Sequence, residues 1–142
     1  MLLLLTGCTL FIEPTEGTYM ATVENFVADD ACVDVWELDL ADLQSVNATD
    51  VTLSEDGESM TLDDTIECER FGLVFTCVLA DEEPIRGRDA TFQTRVTVDG
   101  EWISSYAFDS EWEISTTCLG ADCEAYAEGC VVTWTFDGEW VQ

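Results

Sequence analysis

The stretch Val51-Thr-Leu-Ser-Glu-Asp-Gly-Glu-Ser-Met-Thr-Leu62 decides the fold class of this chain. Val51 and Leu53 alternate with polar residues before an Asp-Gly pair, and Met60 and Leu62 do so after it. Such alternation is typical of half-buried β-strands, and Asp-Gly between two such runs favours a tight turn because glycine supplies the positive φ. We therefore predict an antiparallel hairpin that buries these four apolar side chains.

The alternation continues on both sides of this hairpin. Towards the N-terminus, strands are predicted at residues 18–27 and 32–38, and the helical spacing of Trp36, Leu40 and Leu43 predicts a short helix at 38–46. Towards the C-terminus, a mostly apolar strand at 71–79 places Phe71, Leu73 and Phe75 on one face, and Pro84 and Gly87 mark a loop. Further strands are predicted at residues 91–98, 102–108, 112–118 and 132–136, with turns at Asp99-Gly100 and Asp137-Gly138.

Eight or nine strands at this spacing predict an all-β fold. We expect an antiparallel meander that closes as an up-and-down barrel, with a β-sandwich as the second choice. One internal echo is visible, because the pattern of residues 97–102 recurs at 135–140 as Thr-x-Asp-Gly-Glu-Trp. It indicates either a repeated binding loop or two hairpins that use the same turn, and we favour the second interpretation.

The charge of the chain excludes one class of partner. The sequence has 31 acidic residues against four arginines, with no histidine and a formal net charge of −27. Such a surface repels phosphates, so nucleic-acid binding is not expected. Without histidine, the Ser-His-Asp and Cys-His catalytic arrangements and histidine metal sites are excluded.

Carboxylates are the remaining candidates for chemistry. The pairs Glu111/Glu113 and Asp63/Asp64 offer two carboxylates to a glycoside hydrolase, but close pairs arise by chance among so many acids. We keep that activity as a distant alternative and expect no enzyme. No metal site or cofactor is predicted beyond a weak Ca²⁺ contact at Asp29-Asp30, Asp63-Asp64 or the acidic run 81–83, none of which fits an EF-hand.

The cysteine count favours an oxidising compartment. Cys8 stands apart, and an even set of six remains: Cys32, Cys68, Cys77, Cys118, Cys123 and Cys130. An even number in a small exported domain indicates a disulfide framework. A zinc site is not expected, because the sequence contains no CxxC motif. The predicted pairs are Cys68–Cys77 across a short turn, Cys118–Cys130 and Cys32–Cys123, with Cys118–Cys123 as a rival.

Leu5-Thr6-Gly7-Cys8 resembles a bacterial lipobox, the cleavage and lipidation site of lipoproteins. The resemblance implies that the Cys8 thiol carries a diacylglycerol and that the chain is cut before Cys8. A signal peptide needs a longer apolar stretch than residues 1–5, so we expect the natural start to lie upstream. On this hypothesis residues 1–7 are a signal-peptide remnant, 8–16 the lipidated tether and 17–142 one disulfide-stapled β-domain. Its expected location is the bacterial envelope, periplasmic or surface-exposed.

The strand pattern after this opening resembles small lipocalin-like barrel lipoproteins. Gly17-Thr18-Tyr19 stands where that family has Gly-x-Trp, while the family's late basic residue has no counterpart beyond Arg95. The resemblance implies a ligand cavity, and the candidate lining residues are Trp102, Tyr106, Trp112, Trp134 and Arg95. We expect Arg95 to face outward and to pair with an acid across strands rather than to anchor an anion inside.

These observations together predict a non-catalytic, membrane-anchored lipoprotein that binds a small ligand or a protein partner. A structural or adhesive envelope module without ligand is the alternative. An open aromatic cavity would favour a ligand, whereas a filled core with exposed aromatic side chains would favour a partner.

Overall fold

The computed structural model describes residues 12–142, which form antiparallel strands and two short helices. The strands are β1 (Gly17–Met20), β2 (Val23–Ala28), β3 (Ala48–Leu53), β4 (Ser59–Leu62), β5 (Ile66–Phe71), β6 (Val74–Pro84), β7 (Thr91–Ser104), β8 (Ala107–Leu119), β9 (Cys130–Phe136) and β10 (Gly138–Trp140). Helices α1 (Ala31–Asp34) and α2 (Leu40–Gln44) connect β2 to β3, and Glu124–Tyr126 forms a 3-10 turn. Within residues 12–142, no helix has the length and apolar character that a membrane crossing requires.

Eight of the strands close into a barrel. The hydrogen-bonded order β10-β1-β3-β4-β5-β6-β7-β8 is closed by antiparallel pairing of β10 with β8. Strand β9 directly precedes β10 and pairs with residues 111–116 of β8, whereas β10 pairs with residues 107–108. Strand β2 pairs with β9. The predicted antiparallel meander is therefore confirmed, and the barrel is the architecture rather than the sandwich.

The barrel has two different ends. We call the end with the turns β3–β4, β5–β6 and β7–β8 the lower end, and the chain enters β1 there. The upper end carries α1, α2 and the loops 85–90 and 120–129. The Thr15 amide donates to the Ser105 carbonyl oxygen at 3.0 Å, which fixes the entering chain beside the β7–β8 turn.

Aromatic side chains fill the barrel between these ends. Tyr19, Phe75, Trp102, Phe108 and Phe136 are each at most 1% exposed. The ring centroids of Tyr19 and Phe108 lie 5.1 Å apart and those of Trp102 and Phe108 5.2 Å apart, which are normal aromatic packing distances. Burial raises the pKa of Tyr19 to about 12, and its hydroxyl donates to the Thr15 carbonyl at 2.6 Å.

Glycines inside two strands make this aromatic packing possible, and they correct two predicted turns. A Cβ on Gly100 would lie 2.1 Å from Cζ of Phe75, and one on Gly138 would lie 2.7 Å from Cζ of Phe108. Neither Asp99-Gly100 nor Asp137-Gly138 reverses the chain. Strand β7 runs through Gly100 without a turn. Gly138 begins β10, which follows β9 in the same direction and, like β9, pairs with β8. The repeated Asp-Gly-Glu-Trp pattern is thus neither a hairpin turn nor a binding loop. Its glycine lacks a side chain, and a phenylalanine ring packs against the strand at that position.

Two other local predictions are corrected. Residues 32–38 are not a strand, because Cys32 lies in α1 and is bonded to β9, while the predicted helix at 38–46 corresponds to α2. The strand predicted at 71–79 is broken by the turn at Gly72, which has φ +61°. Phe71 therefore ends β5 and is 84% exposed instead of facing the core, whereas the hairpin of residues 51–62 is confirmed.

Three disulfides staple the barrel. Cys68–Cys77 joins directly opposed residues of β5 and β6, as predicted. The other predicted pairs are wrong, because the bonds are Cys32–Cys130 and the rival Cys118–Cys123. In the long loop between β8 and β9, Cys123 bonds to Cys118 at the end of β8. Cys130, at the start of β9, lies beside α1 and bonds to Cys32 instead.

One edge of the sheet is open at the upper end. The pairing of β5 with β6 ends at Val78, whereas β6 continues beside β7 to Pro84. The free edge of β6 therefore carries the acidic run of residues 81–83 followed by a proline.

Candidate binding site at the upper end

Of the five side chains that the sequence proposed for a ligand cavity, only Trp112 and Trp134 come together, and both line the second hollow described below. Trp102 lies in the filled core, and Trp134 is 5% exposed and stacks on half-buried Trp112 with ring centroids 5.7 Å apart. Tyr106 is 56% exposed in the β7–β8 turn at the lower end. Arg95 is exposed, as predicted, and the residues directly opposite it are Ala80 and Ser115, so its pairing with an acid stays a prediction.

A hollow of about 430 Å³ lies instead at the upper end of the barrel. This volume is within the range of small-molecule sites. We call it the upper hollow, and its lining residues are Glu83, Pro84, Ile85, Arg86, Arg88, Phe92 and Tyr126. Most of them belong to the end of β6, the loop 85–90 and the start of β7.

Three aromatic rings support one wall of the upper hollow. The ring centroids of Phe92 and Tyr126 are 4.8 Å apart, and Trp36 lies 5.0 Å from each of them. The indole Nε1 of Trp36 donates to the Glu128 carbonyl oxygen at 2.9 Å. Because Trp36, Phe92 and Tyr126 come from three separate segments, their packing holds those segments in one arrangement.

Hydrogen bonds join the two loops beside the upper hollow. The Asp89 amide donates to Asp122 Oδ2 at 2.7 Å, and the Asp122 amide donates to the Asp89 carbonyl oxygen at 2.9 Å. The Ala121 amide donates to Asp89 Oδ2 at 3.1 Å. Gly120, with φ +126°, allows the close approach, since a Cβ there would lie 2.1 Å from the Asp89 oxygen. The loop that carries the arginines is therefore fixed to the loop closed by the Cys118–Cys123 disulfide.

The chemistry of the upper hollow differs from that of the rest of the surface. Arg86 and Arg88 are exposed there beside a single acidic lining residue, Glu83, and are two of only four cationic side chains in a chain of net charge −27. Guanidinium groups recognise carboxylates, phosphates and sulfonates through paired hydrogen bonds, and aromatic faces take apolar or aromatic bodies. The arrangement fits an anionic group attached to an apolar or aromatic body.

A second hollow, of about 360 Å³, lies on the outer face of β7, β8 and β9. Its lining includes the proposed ligand-binding residues Trp112 and Trp134 as well as the carboxylates of Asp99, Glu111 and Glu113. The proposed pair Glu111/Glu113 is exposed to solvent there. The other proposed pair has a structural role, because Asp63 Oδ1 accepts the Asp50 amide at 2.9 Å beside the β4–β5 turn. Within residues 12–142, no three acidic or sulfur side chains are grouped as a metal ion would require.

A related acidic cluster lies nearer the lower end. Asp109 faces Glu101 across β7 and β8 and lies near Asp137. Partial burial, and then the charges of Asp137 and Glu101, raise the pKa of the Asp109 carboxyl. This repulsion is a cost to stability, because like charges directly opposite each other on a sheet destabilise it.

Comparison with known proteins gives no match to any family model, to any curated protein or to any solved structure. Cys8, the proposed lipidation site, lies outside the described residues.

Proposed function

We propose that this chain is an exported, non-catalytic binding domain held at a bacterial membrane by lipid on Cys8, and that its binding site is the upper hollow. The observation that carries the binding proposal is that Arg86 and Arg88 line the same hollow as Phe92 and Tyr126, whose rings pack against Trp36. The proposed ligand class is an anion on an apolar or aromatic body, presented by a small molecule or by a segment of a protein partner.

One feature supports the location, and a second supports a binding role. Three disulfides in a domain of this size are typical of oxidising compartments outside the cytoplasm. The closed meander barrel agrees with the lipocalin-like resemblance, which implies ligand binding. The filled interior is a departure from that family, and it favours recognition at the rim over an enclosed calyx.

The binding proposal is tested with anilinonaphthalene sulfonate, which combines an anion with an aromatic body. Titration of the purified chain, followed by probe fluorescence, gives the dissociation constant. Arg86→Gln and Arg88→Gln are each expected to weaken binding by at least about tenfold, because a hydrogen bond to a charged group contributes about 1.5–3 kcal/mol. The matched control is Arg95→Gln, which removes the same charge from an exposed position on β7.

Equal affinities for the three variants would show that the arginines of the upper hollow do not bind the anion. Absence of binding by the parent chain would favour the structural or adhesive module instead.

The anchor is tested separately by membrane fractionation of the expressed chain. Cys8→Ser is expected to move the protein from the membrane to the soluble fraction, whereas an exposed serine change elsewhere, such as Ala125→Ser, is not. Equal distribution of Cys8→Ser and parent would refute the anchor while leaving the upper hollow untouched.

A further inference from the structure

We infer that the lower end of the barrel rests on a neutral, zwitterionic lipid surface through Phe71, Val74, Ile103 and Tyr106. The inference rests on the proposed anchor at Cys8 and adds an orientation to it: the anchored end is also a contact surface, and the upper hollow points away from the bilayer.

The four side chains form an apolar tip around the lower turns. Phe71 is 84% exposed, Ile103 and Tyr106 are each 56% exposed, and Val74 is 51% exposed. Phe71 and Val74 are directly opposite each other, and Ile103 lies two residues beyond Glu101, the partner of Val74 on β7. Large apolar side chains grouped in this way on a water-soluble surface mark a contact with a partner or a membrane. Among the described residues, the other exposed large apolar side chains include no aromatic ring: they are Met20, Val27, Val33, Val46, Val78, Leu119, Val131 and Val141.

The path of the chain brings this tip to the membrane. The hydrogen bond from Thr15 to Ser105 fixes the entering chain next to Tyr106. Cys8 lies seven positions before Thr15, and a stretch of that length spans at most about 25 Å even when fully extended. Strand β8 has 13 residues and is roughly 40 Å long, so the two ends of the barrel are well separated even with the usual strand tilt. A lipid on Cys8 therefore keeps the lower end within reach of the bilayer, and contact through the apolar tip would turn the upper hollow away from it.

The charges near the tip select the kind of surface. Glu101 is directly opposite Val74, and Asp56 and Glu58 lie in the neighbouring β3–β4 turn. Anionic headgroups would repel these carboxylates, whereas a zwitterionic surface accepts the aromatic and aliphatic side chains at its interface.

Tryptophan reporters test the orientation. The full-length lipidated chain is reconstituted into phosphatidylcholine vesicles whose acyl chains carry bromine, a contact quencher of tryptophan fluorescence. Phe71→Trp places a reporter in the tip, and Leu119→Trp places a matched reporter at an upper-end position that is 53% exposed. Because both sites are exposed ends of strands, both variants are expected to fold. The added emission of Phe71→Trp is expected to be lost on brominated vesicles, and that of Leu119→Trp to be retained.

Sedimentation of the vesicles separates the two proposals. If both variants sediment with the vesicles and their added emission is quenched equally or not at all, the orientation is wrong while the anchor stands. If the chain stays in the supernatant, the anchor and the orientation are both overturned. Preferential quenching of Phe71→Trp in the sedimented vesicles supports both.

Discussion

The disulfide between Cys32 and Cys130 gives the most quantitative prediction. It closes a loop with a sequence separation of 98, whereas Cys68–Cys77 closes one of 9, and all four cysteines are buried. In the chain-entropy description, cross-linking lowers the entropy of the unfolded chain by an amount that grows with the logarithm of loop length. The two bonds then stabilise the fold by about 4.7 and about 2.6 kcal/mol.

The test compares two double variants, Cys32→Ala/Cys130→Ala and Cys68→Ala/Cys77→Ala. Each removes two buried sulfur atoms, so the losses of packing are similar and the difference of about 2 kcal/mol reports loop length. Urea unfolding of the two variants and the parent, followed by circular dichroism, gives the free energies and the m-values. The long-loop variant is also expected to show the larger m-value, because its unfolded state becomes more expanded.

Equal losses of stability, or a larger loss for Cys68→Ala/Cys77→Ala, would refute the entropic reasoning. Hydrogen exchange adds a local control at the Leu38 amide, which donates to the Cys32 carbonyl at 2.9 Å. Fast exchange there without global unfolding would show that the bond mainly fastens residues 31–46 to β9.

Three further predictions concern packing and protonation. Gly100→Ala is expected to lower the free energy of unfolding in urea by about 1–3 kcal/mol, because the added methyl group clashes with the ring of Phe75. Adding Phe75→Leu to that variant should restore part of the loss. Additive losses from the two changes would contradict this reasoning. Asp109→Asn is expected to raise the melting temperature at pH 7 and low salt, and to raise it less at high salt. The control variant Glu113→Gln should change the melting temperature less, because Glu113 lies opposite Thr97 and Thr133 rather than opposite acids. In the parent chain the raised Asp109 pKa adds stability as the pH falls through it, because the folded state holds the proton more tightly. Because the pKa of Tyr19 is raised from 10.0 to about 12, stability should fall as the pH rises above 10, and Tyr19→Phe should show a flatter profile between pH 10 and 12.

The sequence predicts this fold best where the signal is local. The hairpin at residues 51–62 is correct because Gly57, with φ +72°, makes a tight turn between two alternating runs. Gly100 carries the same Asp-Gly signal, but it faces the ring of Phe75, which is 25 positions away and contributed by another strand. No local pattern distinguishes a glycine that bends the chain from one that makes room for a distant ring.

The candidate site is harder to predict for the same reason. The rings of Trp36, Phe92 and Tyr126 come together through the paths of loops and the Cys32–Cys130 bond, and loops have no hydrophobic period. One signal was present in the sequence. Arg86-Gly-Arg88 is the sole pair of cations within three residues in a chain of net charge −27, and it marks the upper hollow.

The open edge of β6 bears on how the protein behaves at high concentration. Unpaired strand edges invite a second molecule to continue the sheet, which is the first step of aggregation. Here three carboxylates precede a proline that lacks the amide needed for such pairing. Two copies that approach along this edge bring acidic groups face to face, so the acidic run that suggested calcium is expected to keep neighbouring molecules apart.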